Sequence, residues 1–490
     1  MEQQKSSDLN VKDISFINDI KSMAVIGISK KRNFFFLKNH QESFRGDLFA
    51  IHPNIKEIPS FPKQNIFASV KDIPVEVDFA FIAVPANKVL RVIDDCVEKG
   101  VRLASVFTAE FSDAGTEEGI ALEKELIRRA QNRVRILGPN GMGIFYPKKG
   151  ITWRTNFPTT PGNIGFIAQS GGICNIAIYT AKEYGLTFSK VFSFGNGADL
   201  DFVDLFYFLS NDPDTDIILC YVEGIKQERA NDLRKIFSDN KKPTIILKGG
   251  KSKRGEIAVR THTASISGNN RIWNSLFMQY NLIEVNSLEQ LINTARIIDF
   301  YGINKIENVA VFSISGGYGV VLVDLIENAG MKVPEFSLEV QEKLKKEFFV
   351  HGTSPRNPLD VAAQLTYSES IKKIIDIALS DEKIDALIMD FPSWYFSYDF
   401  FISPDKNYES NIIEALSLGH KHKKPLFPII QPANTPNDQV RISRLLANKK
   451  VPVFRDPLEV IPLLPKINNY YRQQLVNKKV KLKKKKVHSF

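Results

Sequence analysis

The chain has 490 residues, of which 43% are hydrophobic and 24% are charged, a composition typical of a soluble globular protein with room for about three domains. No stretch approaches the roughly 18 apolar residues that span a bilayer, and the N-terminus lacks the basic-then-apolar order of a secretory signal, so neither a membrane protein nor a secreted one is predicted. Cys96, Cys174 and Cys220 stand singly without metal-ligand spacing, which is typical of packed thiols in a reducing cytoplasm.

The net charge of +10 is concentrated at the C-terminus. Seven lysines and no acid lie in the last thirteen residues, 478–490, and the remainder of the chain is close to neutral. Such a run is typical of a solvated tail, and we expect residues 473–490 to be disordered. The alternative is an anchor for an acidic partner or nucleic acid. Phe490 is the one aromatic residue of this tail, so the sequence does not favour nucleic-acid binding.

The first domain, residues 12–150, alternates apolar strand-like runs with amphipathic helical stretches. The predicted strands are MAVIGIS, DLFAIHP, VDFAFIAVP, VRLASVFTA and VRILGPN. Strands that are apolar on both faces and separated by single helices predict a doubly wound, Rossmann-like parallel sheet. Glycines and prolines follow each strand, at the carboxyl ends where such sheets bind ligands.

The same alternation begins again twice, which predicts two further parallel-sheet domains. Residues 155–300 contain NIGFIAQSGG, KVFSFGNG, DIILCYVEG and TIILKGGKS, and residues 305–472 contain ENVAVFSISGGYG, DALIMDFPS and PLFPIIQPA. Each domain opens with a strand, a glycine-bearing turn and a helix. The fold class is therefore α/β throughout.

One turn of the middle domain suits an anion. A strand leads into Gln169, Ser170, Gly171 and Gly172, and a helix follows. The free N–H groups and the dipole at a helix N-terminus favour a phosphate, and glycines permit its close approach. An ordinary helix cap made by Ser170 is the alternative, and this segment alone leaves both open.

A second polar stretch, KGGKSKRGEIAVRTHTASISGNN, contains His262. Its Thr, Ser, Ala and Gly residues predict an exposed loop. A lone histidine is more often structural, but Glu223 at a strand end supplies the carboxylate that could hold one ring nitrogen protonated while the other accepts a phosphoryl group. A helix-capping role is the alternative for Glu223.

In order and spacing, these segments resemble the α-type subunit of ADP-forming acyl-CoA synthetases, which are similar to succinyl-CoA synthetases. The resemblance covers residues 12–472. It rests on MAVIGIS, FAIHPN, VDFAFIAVPA, GPNGMGI, NIGFIAQSGG, FSKVFSFGNGADLDFVDLFYFLSNDPDT, YVEGI, LKGGKS, THTASISG and NPLDV. It implies a Rossmann-like CoA-binding domain followed by two flavodoxin-like domains, the first of which carries a phosphohistidine.

The resemblance also implies roles for individual residues. His262 corresponds to the phosphorylated histidine and Glu223 to the carboxylate that holds it. The phosphate-binding positions are Gln169, Ser170, Gly171, Gly172 and Asn196. The positions near coenzyme A are Gly27, Ser29, Lys30, Pro53, Pro85, Pro139 and Asn140.

Because no segment reads as an ATP-grasp domain, the resemblance implies a separate ATP-grasp β-type subunit and a hetero-oligomer. Mg²⁺ with ADP or ATP would then be bound by that partner, and no metal site is predicted in this chain. The resemblance implies that the substrate is a small carboxylic acid, acetate or another short acid, with an aryl or branched acid as the alternative.

The sequence departs from the family pattern at several turns. The first loop reads SKKRN without its usual glycines, Glu110 replaces a glycine, Gly141 replaces a common cysteine, and Ala264 replaces a glycine beside the histidine. These departures motivate the alternative of a catalytically reduced, CoA-binding regulatory protein. Nucleotide redox chemistry is a third idea, but the G-x-G-x-x-G series is missing from the first turn.

Overall fold

The computed structural model describes residues 9–262, 270–397 and 407–487, with backbone alone described at 260–262, 270 and 477–487. It forms two compact units. The first comprises residues up to 182 together with 186–288, and the second comprises 183–185 together with the chain from 289 onward. The sequence placed the corresponding boundary after residue 300.

The first unit opens with a six-stranded, all-parallel sheet in the order β3-β2-β1-β4-β5-β6. This is the strand order of a Rossmann fold, so the predicted class of the first domain is confirmed. Its elements are β1 (Ser22–Ile26), α1 (Phe35–Gln41), β2 (Asp47–Ile51), β3 (Ile66–Phe67), β4 (Phe79–Ile82), α2 (Ala86–Lys99), β5 (Leu103–Val106), α3 (Glu117–Ala130) and β6 (Arg135–Leu137).

A second sheet in the same unit has the order β12-β11-β10-β8-β9-β7. Its five parallel strands follow the flavodoxin-like order, and β7 pairs antiparallel with β9 at the edge. Its elements are β7 (Gly143–Phe145), β8 (Ile164–Ala168), α4 (Gly171–Glu183), β9 (Phe188–Ser193), α5 (Phe202–Asn211), β10 (Ile217–Val222), α6 (Ala230–Asp239), β11 (Thr244–Lys248), α7 (Lys253–His262), α8 (Asn270–Gln279) and β12 (Ile283–Val285).

The second unit contains a four-stranded parallel sheet in the order β14-β13-β15-β16. Its elements are α9 (Leu288–Tyr301), β13 (Val309–Ser313), α10 (Gly316–Asn328), α11 (Leu338–Glu347), β14 (Leu359–Asp360), α12 (Ser368–Ser380), β15 (Ala386–Pro392), α13 (Tyr408–Leu416), α14 (Leu418–His422), β16 (Leu426–Gln431), α15 (Pro436–Asn448) and α16 (Leu464–Val487). Short 3-10 helices lie between these elements in both units, among them Lys30–Arg32.

The C-terminal segment is helical where the sequence predicted disorder. Helix α16 begins at Leu464 and its backbone continues to Val487, through most of the expected tail of 473–490. Buried Ile467 and Tyr470 anchor its first turns. Lysine has a high helix propensity, so a helix already started by packed residues extends into the lysine run at small cost.

The first two sheets share one core, which fixes their relative position within the first unit. Alternate residues of β1 point to opposite faces, because side chains in a strand alternate. Met23 and Val25 join the core that also contains Phe192 of β9 and Ile218 of β10, whereas Ala24 and Ile26 join a separate core against α2 and α3. The carboxyl ends of both sheets therefore belong to one compact unit.

A fully buried ion pair lies beside this shared core. Lys190 of β9 and Asp212 after α5 have no exposed side-chain surface, and Lys190 Nζ lies 2.8 and 2.9 Å from the two carboxylate oxygens. The same ammonium group lies 4.5 Å from the ring centroid of Tyr146. The pair replaces the water that each charge loses, so each partner depends on the other.

Removal of one partner is expected to destabilise the first unit strongly. Asp212→Ala leaves the buried Lys190 charge with only the partly exposed Asp214, 3.5 Å away, and should lower the free energy of unfolding by about 3 kcal/mol, the lower end of the range for a broken buried pair. Urea denaturation followed by circular dichroism measures this. The control is Glu57→Ala, which breaks an exposed pair with Lys63 and should leave the denaturation midpoint unchanged. Equal effects of the two substitutions would contradict the assignment.

Candidate active site

A large cavity lies at the carboxyl ends of the first sheet. It has a volume of about 1330 Å³ and opens over the turns that follow β1, β2 and β4. The strand order reverses between β1 and β4, and ligands of doubly wound sheets bind at such a switch point. Five of the predicted CoA-site residues line it, namely Gly27, Ser29, Lys30, Pro53 and Pro85.

Gly27 brings two strand ends together at this edge. Its φ is +94°, and a Cβ there would lie 2.5 Å from the carbonyl oxygen of Ala83. A side chain at this position would be strained and would separate the turn from β4. The close approach shapes the floor of the cavity.

Five cations face this cavity without an acidic partner. Lys30, Lys31 and Arg32 form a 3-10 helix at its rim, and Lys88 and Arg91 project from α2. None of these five makes an ion pair within the described part of the chain. Such a set matches the charge of a ligand with several phosphate groups.

The acidic and imidazole groups of the lining do not cancel that charge. Asp95, the acid of the lining, accepts a hydrogen bond from Ser69 Oγ at 2.8 Å and lies 3.4 Å from Lys71 Nζ. Burial, and secondarily the charge of Lys88, lowers the pKa of His52, which favours its neutral form.

An aromatic wall completes the cavity and was missed by sequence reasoning. Phe34, Phe35, Phe36 and Phe107 line it. The ring centroids of Phe36 and Phe107 are 4.9 Å apart, in an edge-on arrangement. The run of three phenylalanines after the cations could have indicated this wall, because three adjacent large apolar residues in a turn must pack against another part of the protein or against a ligand.

Pro139 and Asn140, the other two predicted CoA residues, do not line this cavity. The Asn140 N–H donates to the carbonyl oxygen of Thr108 at 2.9 Å, and Pro139 accepts from the Asn196 N–H at 3.0 Å. They belong to a segment, residues 139–142, between the two sheets of the first unit. Thr108 lines the cavity, so the segment begins one hydrogen bond away from it.

The far end of this segment reaches the predicted phosphate turn. The Met142 N–H donates to Ser193 Oγ at 3.1 Å. A Cβ on Gly171 would lie 2.5 Å from Met142 Cγ and 3.5 Å from Ser193 Oγ. Residues 139–142 therefore connect the CoA-type cavity to the turn at Gln169, and Met142 and Ser193 are site residues that the sequence did not reveal.

The turn itself joins β8 to α4, as predicted. Ser170 caps the helix: its Oγ accepts from the Ile173 N–H at 3.3 Å, and its carbonyl accepts from Cys174. A Cβ on Gly172 would meet nothing closer than 3.7 Å, so the backbone there is open to a ligand. Capping by Ser170 uses one of the several free N–H groups of a first turn and leaves the others for an anion.

Gln169 and Glu223 are brought into direct contact. Gln169 is 7% exposed, and its Oε1 accepts from the backbone N–H groups of Glu223 at 2.6 Å and Gly224 at 3.3 Å. The Tyr221 hydroxyl donates to Glu223 Oε1 at 3.0 Å. The carboxylate is thus held at the edge of the sheet beside the phosphate turn.

Lys248, at the end of β11, contacts the turn that carries Glu223. It is 3% exposed, and its ammonium group donates to the carbonyl oxygens of Glu223, at 2.7 Å, and Gly249. Burial lowers the pKa of Lys248 to about 8. This role was not predicted from sequence, because a lysine at a strand end is usually solvated.

His262 is the last residue of α7, and its side chain lies outside the described residues, as do residues 263–269. The sequence predicted a loop here, whereas the backbone is helical up to His262. The proposed contact between His262 and Glu223 therefore stays a prediction.

Asn196 contacts the first domain instead of the phosphate turn. Its Nδ2 lies 2.9 Å from Asp113 Oδ1, 2.8 Å from Glu123 Oε2 and 3.1 Å from Ser112 Oγ. Within the described residues no hydrogen bond joins Asn196 to the Gln169 turn. The amide nitrogen thus joins the second sheet to the loop after β5 and to α3, and the phosphate-binding role of Asn196 stays a prediction.

The structure shows the backbone surroundings of two departures from the family pattern. Glu110 has φ +76°, a left-handed conformation that favours glycine, and its N–H donates to Asp113 Oδ2 at 3.1 Å. A Cβ at Gly141 would lie 2.6 Å from the carbonyl oxygen of Ser193, so the position that is often cysteine has no room for a side chain here.

Among the described residues, no group of three or more His, Cys, Asp or Glu side chains could hold a metal ion. In the same part of the chain, no helix has both the length and the apolar character that crossing a membrane requires.

Two family models match the chain. Residues 21–147 match a CoA binding domain, and residues 161–298 match a succinyl-CoA ligase like flavodoxin domain. The first match contains the first sheet and β7, and the second contains the other five strands of the second sheet and extends into α9 of the second unit.

Curated relatives match over longer spans. Acetate–CoA ligase [ADP-forming] II of Archaeoglobus fulgidus is 30% identical over 489 residues, which cover 96% of this chain and 69% of that protein. Acetate–CoA ligase [ADP-forming] II subunit alpha of Pyrococcus furiosus is 33% identical over 75% of this chain and 80% of that subunit. The chain spans 53% of the length of acetate–CoA ligase [ADP-forming] I of A. fulgidus.

A solved structure matches almost throughout. The apo form of dinucleotide forming acetyl-coenzyme A synthetase 1 of Candidatus Korarchaeum cryptofilum is 27% identical, with a TM-score of 0.80, over 94% of this chain and 98% of that one. The same synthetase has also been solved in complex with phosphate and ADP.

Lys248 predicts a specific pH dependence of stability. Its pKa in the folded chain, about 8, lies below the value of about 10.4 for a free lysine, so unfolding takes up a proton between these values and stability rises with pH across this window. Urea denaturation at several values between about pH 7.5 and about pH 10.5 gives the free energy of unfolding of wild type and of Lys248→Met, and the difference, wild type minus variant, should increase with pH. A constant difference would show that Lys248 is not buried as described.

Proposed function

The chain belongs to the family of ADP-forming acetate–CoA ligases, and we propose that it is the α-type subunit of an ADP-forming acyl-CoA synthetase. The reaction interconverts acyl-CoA, phosphate and ADP with a carboxylic acid, CoA and ATP. The observation that carries the proposal is the pair of hydrogen bonds from Glu223 and Gly224 to Gln169, which places a carboxylate beside an anion-type turn.

CoA would occupy the cavity of the first sheet. Lys30, Lys31, Arg32, Lys88 and Arg91 supply cations for its phosphate groups, and the phenylalanine wall supplies an apolar face. Thr108 and residues 139–142 then lie between that cavity and the Gln169 turn. The thioester end of a bound acyl-CoA directed along this segment would meet a phosphate held at the turn.

The proposed chemistry has three steps. Phosphate attacks the thioester carbonyl and CoA leaves as thiolate, which gives an acyl phosphate. The His262 imidazole then attacks the phosphorus and the carboxylic acid leaves. ADP finally takes the phosphoryl group from the histidine and becomes ATP. Each step transfers one group between a nucleophile and a leaving group, with no redox change.

The residues at the turn would stabilise charge. N–H groups at the start of α4 would bind the phosphate oxygens in the first two steps. Glu223, steadied by Tyr221 and by Gln169, would keep one ring nitrogen of His262 protonated and balance the phosphohistidine cation. Lys248 also donates to the backbone carbonyl oxygen of Glu223, so the Glu223 carboxylate would not need to move during transfer of the phosphoryl group.

The nucleotide site would lie on an ATP-grasp subunit, with Mg²⁺ bound there together with ADP. The match to 80% of a relative named subunit alpha supports the two-chain arrangement. The complex would be a hetero-oligomer in the cytoplasm, in keeping with the unpaired thiols of Cys96, Cys174 and Cys220. Its acid substrate would be a small carboxylic acid such as acetate.

Labelling from ATP tests the proposal. The chain is mixed with its ATP-grasp partner, Mg²⁺ and ATP labelled in the γ-phosphate, and protein-bound phosphate is measured. We expect acid-labile, base-stable label on the wild type, because phosphohistidine has that stability, and none on His262→Ala.

The matched control is His351→Ala, which alters an exposed histidine of the second unit and should label like wild type. A wild-type chain that stays unlabelled would instead support the CoA-binding regulatory protein, for which the altered first loop and Glu110 are the arguments.

A further inference from the structure

A second cavity in the first unit lies apart from the CoA-type cavity and shares none of its lining residues. Its volume is about 450 Å³. Arg45, in the turn after α1, lines one side, and Arg154 with Thr155 and Thr159 lines the other. Neither the family resemblance nor the proposed reaction uses any of these residues.

The two sides are held together by several hydrogen bonds. The Arg45 N–H donates to the carbonyl oxygen of Lys149 at 3.0 Å, and Ser43 Oγ donates to that of Gly150 at 2.7 Å. A Cβ on Gly150 would lie 1.7 Å from the carbonyl oxygen of Ser43, so the two backbones meet without an intervening side chain. The position of Arg45 opposite the 150–159 segment is thus fixed by the backbone.

The backbone at Arg154 is also held in position by hydrogen bonds. The preceding residue, Trp153, is 1% exposed, and its indole N–H donates to Asn175 Oδ1 of α4 at 2.7 Å. The carbonyl oxygen of Trp153 accepts from Asn39 Nδ2 at 2.7 Å, and the Arg154 N–H donates to Thr152 Oγ1 at 3.2 Å. The backbone that carries the guanidinium is anchored on both sides.

In the part of the chain that the structure describes, neither guanidinium group has a hydrogen-bond or ion-pair partner. Within the described residues, Arg45 and Arg154 make no ion pair, and Arg154 Nε is buried with no hydrogen-bond acceptor. Glu42 is the one acid of the lining and is paired with neither arginine, so the lining has an excess of positive charge. A buried N–H of a charged group is costly without an acceptor, and an oxyanion with two oxygens is the natural complement of a guanidinium.

The remaining walls are apolar. Phe44, Phe145 and Phe157 line the cavity, and the last two rings lie 5.1 Å apart in an edge-on arrangement. The volume falls within the range of small-molecule sites, about 300–1,000 Å³. We propose that this cavity binds a small molecule through a phosphate or carboxylate group held by Arg45 and Arg154, with its apolar part against the phenylalanine rings.

Protection from arginine modification tests the proposal at these residues alone. The full chain is treated with phenylglyoxal, and the modification rates of Arg45 and Arg154 are followed by peptide mass spectrometry. The probes are phenyl phosphate, benzoate and inorganic phosphate, each compared with chloride at equal ionic strength. We expect at least one probe to slow modification of both arginines by about threefold or more, whereas exposed Arg356 is unaffected.

The probes also identify the head group. Protection by phenyl phosphate but not by benzoate assigns a phosphate ligand, and the reverse assigns a carboxylate. Because the readout is local, phosphate bound at the Gln169 turn does not contribute to it. Equal rates with every probe and with chloride would overturn the proposal.

Arg45→Gln tests whether the two arginines act together. Arg45 is exposed, so its replacement should not disturb folding. In this variant the protection of Arg154 should disappear. Full protection of Arg154 in Arg45→Gln would contradict a site formed by both guanidinium groups.

Discussion

The amide oxygen of Gln169 accepts two backbone N–H groups from the turn after β10, and the candidate active site depends on this contact. Without it, the start of α4 and the carboxylate of Glu223 would be two separate features of adjacent strand ends. Parallel strands bring their carboxyl ends to one edge, but they do not fix the turns that follow. A buried side-chain amide does so here.

A second constraint links this edge to the first sheet. In the segment 139–142, Asn140 is hydrogen-bonded to Thr108, which lines the CoA-type cavity, and Met142 packs against Gly171. The shared hydrophobic core holds both sheets in the same unit, so the distance between the two sites is set by packing rather than by a flexible linker.

Much of the fold could be predicted from sequence. Near-continuous apolar runs gave the central strands of all three sheets, because strands buried on both faces carry no polar alternation. The short edge strands β3, β7, β12 and β14 were missed, since two or three residues leave no periodic signal. The lysine run was read as disordered from its charge, although a helix nucleated at buried Ile467 can continue through it.

The residues of the candidate site also divide into those whose position could be predicted from sequence and those whose position could not. Five of seven CoA positions line the cavity because they follow strands whose ends must meet. Pro139 and Asn140 lie outside the cavity lining, and their backbone, like the amide nitrogen of Asn196, makes contacts between the sheets that spacing along the chain does not encode. The roles of Tyr221 and Lys248 depend on burial and on neighbouring strands for the same reason.

The central proposal is that a thioester bound at the first sheet is cleaved by phosphate at the second, and that the phosphoryl group then reaches His262, all within this one chain. Incubation of the isolated chain with acetyl-CoA and radiolabelled inorganic phosphate, without nucleotide or partner, tests that claim most directly. The account predicts release of free CoA together with acid-labile label at residue 262. Tight binding of acetyl-CoA with neither CoA release nor label would contradict it.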